Sequence, residues 1–335
     1  MRIREGVMLR RDFISFIVGA LVAGPRVAIA QTPSKVYRVG TLSPGAPVDE
    51  KSPLGTILLK KLEQHGYTVG KNLAFEARGA GGQVSKLGEI VNSMKANGVD
   101  VIVAGGFPAT LACKVANVPT VVFFGAGDPV ATRLIDGLAR PGGNITGISD
   151  NAAALATKRL ELIKQAVPKV RRVAMLWNRN DLGMSMRYEA SAVAARSLGV
   201  TVQPLGLREP DDFAGVFEAM DRDPPDAIFM VADSLTTLNR KRVFDYAGAR
   251  RIPALYEYDV PNVRDGGLMS YGPDLKESME RAAGLTARIL GGARPADLPF
   301  EEPTHYKLVV NLKTAKATGI ELPMNFLALA DEVIE

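Results

Sequence analysis

From residue 36 onward the sequence alternates short apolar, β-branched runs with segments of helical spacing, and it goes through that rhythm twice. In the first round, strand-like runs at 37–42, 73–77, 99–104 and 120–124 are separated by helical spacing at 54–65, 84–97 and 108–116. Runs that are apolar on consecutive residues, with helices between them, predict a parallel sheet covered on both faces. Asp128-Pro129 offers an N-cap followed by proline at a first helical position, which predicts a further helix over 128–138. The turn Pro141-Gly142-Gly143-Asn144 then leads into a strand at 145–148 and is the expected first crossing to a second lobe. The second round sets strands at 172–177, 201–205, 227–231, 254–256 and 267–270 between helices at 155–166, 185–198, 212–220 and 236–250. A long helix over 275–290 and a strand–helix–helix tail follow. The predicted fold class is therefore α/β, two doubly wound Rossmann-like lobes joined by a hinge.

The first thirty residues have a different character. Arg10-Arg11 forms a basic start, 13–23 is apolar, and Ala28-Ile29-Ala30 before Gln31 has the small-x-small form of a cleavage site. An apolar run of that length, closed by Pro25 and Arg26, is short for a bilayer span. Residues 1–30 thus read as a cleavable signal peptide, with export to the periplasm and no stable membrane insertion. Arg10-Arg11-Asp12-Phe13 also resembles a twin-arginine export motif, and the choice between that route and general secretion stays open, as does a start at Met8. The leader holds five arginines against Glu5 and Asp12, so the remainder, with 36 basic and 34 acidic residues, is nearly neutral. No basic stripe for nucleic acid is present in that remainder.

Little in the chain can do covalent chemistry. One cysteine, Cys113, excludes an internal disulfide, and its apolar neighbours mark it as a core residue. With His65 and His305 as the whole imidazole supply, a zinc site or a Cys/His nucleophile pair lacks material. Gly125-Ala126-Gly127 has two glycines of a dinucleotide fingerprint, but Val130 stands in the third place. The expectation is a protein that is not an enzyme, with no metal and no cofactor.

Binding remains. Ligands of open α/β sheets lie at the carboxyl ends of the strands. The residues expected there are Ser43, Gly105, Phe107, Asp128, Asn178, Asp233, Tyr256 and Tyr271. Ser43 and backbone N–H groups near Gly105 and Gly125 would hold a carboxylate. Asp233 or Glu257 would hold an ammonium group, and the rings would bury an apolar part. Each residue alone also fits an ordinary turn or cap.

At this point the chain resembles a known family. Gly66-Tyr67-Thr68-Val69-Gly70-Lys71-Asn72-Leu73, Gly127-Asp128-Pro129-Val130 and 139–147 match it in order. Lys158-Arg159-Leu160-Glu161-Leu162, 266–272, 295–299 and Asn311-Leu312-Lys313-Thr314-Ala315-Lys316 continue the match. The sequence looks like the ABC-transporter substrate-binding proteins related to the tryptophan/tyrosine-binding group, with a type I periplasmic-binding-protein fold. The resemblance implies three crossings between lobes, an N-terminal lobe of 36–145 plus about 272–298, and a C-terminal lobe of 150–268 plus about 302–335. It implies hinge closure on an amino acid or related carboxylate, then docking of a monomer on the membrane permease subunits of an importer. Asn178-Arg179-Asn180-Asp181, where a proline commonly follows Trp-Asn, and Phe107 depart from the family pattern. A sensory receptor of the same fold, an exported α/β enzyme and a cytoplasmic repressor are the rival expectations; the last two lack a catalytic constellation and a DNA-binding helix-turn-helix.

Overall fold

Consecutive residues of the apolar runs point to opposite faces, and each face needs its own cover. In the computed structural model, which describes residues 35–152 and 154–335, that requirement builds two sheets. The leader reading lies outside the described residues. The first sheet uses β1 (Tyr37–Ser43), β2 (Leu73–Gly79), β3 (Val101–Gly105), β4 (Thr120–Phe124) and β5 (Ile145–Gly147) in the order β2-β1-β3-β4-β5. All its pairings are parallel. Val101 and Val103 of β3 face α1 (Pro53–Gln64), whereas Ile102 and Ala104 face α2 (Leu87–Ala96) and α3 (Phe107–Ala116).

The second sheet is built the same way. Its strands are β6 (Arg172–Asn178), β7 (Thr201–Leu207), β8 (Ala227–Met230), β9 (Ala254–Tyr256), β10 (Met269–Pro273), β11 (Tyr306–Asn311) and β12 (Glu332–Ile334). They run in the order β12-β11-β10-β9-β8-β6-β7, parallel except for the β10–β11 pair. Val173 and Met175 pack toward α4 (Ala156–Ala166) and α5 (Leu182–Ser197). Ala174 and Leu176 pack toward α6 (Asp212–Arg222). Between α6 and β9 lie α7 (Ser234–Leu238) and α8 (Arg240–Arg250). The long α9 (Leu275–Leu290) crosses back and lays Met279, Ala282 and Ala283 on the first sheet. The tail adds α10 (Leu312–Thr318) and α11 (Met324–Leu327). Each lobe is thus a sheet with a core on both faces, the doubly wound α/β class expected.

Three local expectations are corrected. No helix forms over 128–138; the segment is a series of turns. Asp128 does cap Val130 and Ala131, but Arg133 takes a left-handed φ of 58°, and Leu134 and Ile135 both donate to the Pro129 carbonyl instead of continuing the helical ladder. The helix expected over 236–250 is two helices, broken at Asn239. The turn at 141–144 is not the crossing either: it feeds β5, which pairs with β4, and the chain leaves the first sheet only afterwards.

That crossing is a paired ribbon. Ser149 N donates to Glu301 O and Glu301 N to Gly147 O, both at 2.8 Å, so the outgoing and returning strands support each other. Thr146 Oγ1 adds a bond to Leu298 O at 2.9 Å. A third strand passes at Asp274, whose N–H reaches His305 O at 3.1 Å. Three connections between two rigid cores are the construction of a hinge.

Candidate functional site

The carboxyl ends of β1, β3 and β4 face those of β6, β8 and β9 across the hinge. Between them lies a cavity of about 360 Å³. Its first wall is Ser43, Pro44, Gly105, Phe123 and Phe124, and its second is Asp181, Met184, Asp233, Tyr258 and Asn262. Most of this lining is apolar. Gly105 is needed there: a side chain would meet the Phe124 ring at 2.5 Å and the Phe123 ring at 2.9 Å. Phe124 meets Tyr258 edge-on across the lobes, with ring centroids 5.7 Å apart.

The lobes are in contact beyond the cavity. A methyl group built on Gly127 would stand 3.0 Å from Gly183 Cα, and one on Gly183 would stand 3.5 Å from both Gly127 Cα and Phe107 Cβ. Two glycines therefore set how closely the lobes approach. Gly183→Leu is expected to wedge them apart, lowering solute affinity roughly 10–100-fold by depopulating the closed form. Calorimetric titration, with small-angle scattering to read the opening, checks this; unchanged affinity would show that the contact is not needed for closure.

Two carboxylates reach the cavity. Asp181 is the N-cap of α5, with Oδ1 accepting from Met184 N at 3.2 Å, and it is only 3 % exposed. The Gly183 N–H also bonds this carboxylate. Burial first, and then the neighbouring Asp233 carboxylate, push Asp181 up to about 7. Asp233 caps α7 in a reciprocal box with Thr236 and also accepts from the Asn178 amide. Its acidity is weakened too, chiefly by burial.

Behind the second wall lies a fully buried ionic lattice. Glu257 accepts from Arg159 Nη1 at 2.8 Å, Arg187 Nη1 at 2.6 Å and Ala232 N at 2.9 Å. Arg187 also pairs with Asp150, which takes Gly125 N at 2.9 Å and the Tyr258 hydroxyl at 3.0 Å. Asp150 lies in the outgoing crossing, so this one carboxylate ties the first lobe, the hinge and the second lobe together. Arg159 also donates to Tyr271 O and Ala152 O.

The structure sorts the expected site residues accordingly. Ser43, Gly105 and Asp233 line the cavity. Asn178 stands behind Asp233, to which it donates. Phe107 is buried at the head of α3 and borders an outer groove instead, because its ring fills the first lobe's core. Asp128 is exposed and spends its carboxylate on its own turn. Tyr256 belongs to the second lobe's core against Phe244, and Tyr271 stacks on Tyr306. Glu257 is consumed by two arginines and is not available to a solute. The Gly125 N–H, expected to hold a carboxylate, is given to Asp150. Sequence reasoning did not name Asp181 as a site residue, only as part of the stretch that departs from the family pattern; an Asp capping a helix at a strand's carboxyl end was the signal. Cys113 is buried in the first core, which pushes its thiol up to about 12. Among the described residues no cluster of three or more His, Cys, Asp or Glu is placed to hold a metal ion.

Two hinged α/β lobes closed on a small, largely apolar cavity define a solute-binding clamp. The chain belongs to the ABC transporter substrate binding protein family, whose model matches residues 55–334. It is 23% identical over 265 residues to a tyrosine-binding protein of Clostridioides difficile (strain R20291), across 78% of this chain and 75% of that one. A conserved domain protein from Vibrio cholerae O1 biovar eltor superposes with a TM-score of 0.82 at 24% identity, covering 89% of this chain and 100% of that one. The ABC domain in complex with L-Trp from Streptococcus pneumonia gives 0.78 at 25% identity, covering 89% and 99%. These proteins share the type I periplasmic binding fold, and the family is one of substrate-binding proteins, not enzymes. Among the described residues no helix is long and apolar enough to cross a membrane.

Proposed function

We propose that this protein is the periplasmic receptor of an ABC importer and that it captures an amino acid with an apolar side chain. The observation that carries the reading is the cavity itself, largely apolar, with the buried Asp181 carboxylate beside Asp233 in one wall. An ammonium group would pair with these two carboxylates, and Phe123, Phe124 and Tyr258 would cover the apolar part. A volume of about 360 Å³ suits one small molecule. The tyrosine and L-Trp named for two relatives are the first solutes to try. Domain closure about the three-stranded hinge then presents both lobes together to the permease subunits.

Thermal unfolding with L-Trp, L-Tyr, aliphatic amino acids and sugars tests the reading. A solute at one hundred times its Kd adds about 2.7 kcal/mol to stability. Failure of every small molecule to raise Tm would sink the receptor reading. Recovery of the exported protein in the cytoplasmic fraction would sink its location.

A further inference from the structure

We infer that Asn262 sets the specificity of the cleft: its side-chain oxygen accepts a hydrogen bond from the solute's side chain, so that a ring bearing one donor is taken in preference to a ring without it. The inference rests on the receptor reading and narrows its solute to an amino acid whose side chain is apolar except for one O–H or N–H.

Asn262 follows β9 in the segment Asp259–Val263 and lines the cavity, yet it is only 1 % exposed. Its amide nitrogen reaches Tyr258 O at 3.4 Å, and because that partner is an acceptor, it fixes which end of the side chain is oxygen. The other end, Oδ1, is buried with no partner. Of the four buried side-chain polar atoms without a partner among the described residues, this is the one whose residue lines the cavity. A buried carbonyl oxygen without a donor is costly, and a solute that brings the donor recovers that cost. Nearby parts of the lining supply none. Val260 and Pro261 of the same segment are apolar, Leu54 and Leu275 cluster with Tyr258, and the Tyr258 hydroxyl is given to Asp150. The main-chain groups of an amino acid have partners on other lining residues: Asp181 and Asp233 for the ammonium, and the hydroxyls of Ser43, Ser234 and Thr237 for the carboxylate. That leaves the Asn262 oxygen to the side chain. A ring with a single donor answers both that oxygen and the rings of Phe123, Phe124 and Tyr258.

Titration calorimetry with two matched pairs tests the inference: L-Tyr against L-Phe, and L-Trp against 3-benzothienyl-L-alanine, whose sulfur replaces the indole N–H. In the parent protein the donor-bearing member of at least one pair is expected to bind roughly 10–100-fold more tightly than its partner. Asn262→Leu, close in volume, is expected to erase that preference by weakening the donor-bearing solute, while its partner stays within roughly threefold. Equal affinity within both pairs in the parent overturns the inference, and that measurement decides the matter even if Asn262→Leu fails to fold. An equal loss of both members of a pair in the variant overturns it as well, since Asn262 would then serve the groups the two solutes share. Binding of none of the four, with a thermal shift from some other solute, overturns the inference and leaves the receptor reading standing.

Discussion

Glu257→Leu is expected to destabilise the protein by about 3–5 kcal/mol, the usual cost of stripping one partner from a buried ionic cluster. Glu257 is fully buried and serves two guanidinium groups and one backbone N–H at once. The lattice has no slack: Arg159 Nη2 and Arg187 Nε are already buried without partners. Leucine fills space but satisfies none of the three donors. At about 2–4 °C per kcal/mol for a domain approaching this size, Tm falls by roughly 10 °C. Glu257→Gln, which keeps one acceptor oxygen, is expected to lie between the two. Urea unfolding of the three proteins checks the order. A leucine variant as stable as the parent would mean that the cluster contributes shape and no net energy, as some buried ion pairs do. Because Asp150 carries the cluster into the hinge, Glu257→Leu is also expected to broaden the range of lobe angles seen by small-angle scattering.

The second large effect comes from Asp181→Asn, and its two halves have opposite sign. In the solute-free protein the Asp181 proton is held until about pH 7, against an ordinary value of 3.8. Between those values the folded state binds more protons than the unfolded one, so stability falls as pH rises through the window and levels off above it. Asparagine carries no such proton and keeps the cap on Met184. The variant is therefore expected to match the parent near pH 4 and to exceed it by a few kcal/mol at pH 8. Binding goes the other way. A cationic solute needs the ionised carboxylate, so affinity in the parent rises as pH climbs through 7, and protons are released on binding below that point. Burial sets this titration first and Asp233 raises it further, while the Met184 N–H, Arg187 and the Gly183 N–H lower it. Asparagine removes the Asp181 part of the pH dependence, leaving that of Asp233, together with most of the affinity. Tm measured at pH 4, 6 and 8, paired with calorimetry in two buffers of different ionisation enthalpy, reads both halves. A variant less stable than the parent at pH 8 would refute the account.

The two-lobe α/β fold was legible because its signal is local and repeated. Runs such as 101–104 and 173–176 are apolar on consecutive residues, and only a strand covered on both faces consumes that pattern. The helix expected over 128–138 failed because a good cap does not propagate once Arg133 turns left-handed. The candidate site was half legible for a similar reason. Ser43, Gly105 and Asp233 sit at strand ends, where the sheet rule places ligands. Phe107, Tyr256 and Tyr271 obey the same rule by position, yet their rings turn into cores, a direction that sequence does not encode.

By itself the sequence determined the two doubly wound sheets, the poverty of catalytic groups and the family, since all three follow from residue types in order along the chain. Tertiary structure alone decided which polar groups are consumed within the protein. Asp150, Arg159, Arg187 and Glu257 come from four separate stretches of the chain, and only their burial together shows that they pair with one another. Asp181 is an ordinary helix cap in sequence. It becomes part of the cleft wall because folding places it, nearly dehydrated, beside Asp233 and opposite Phe123 and Phe124.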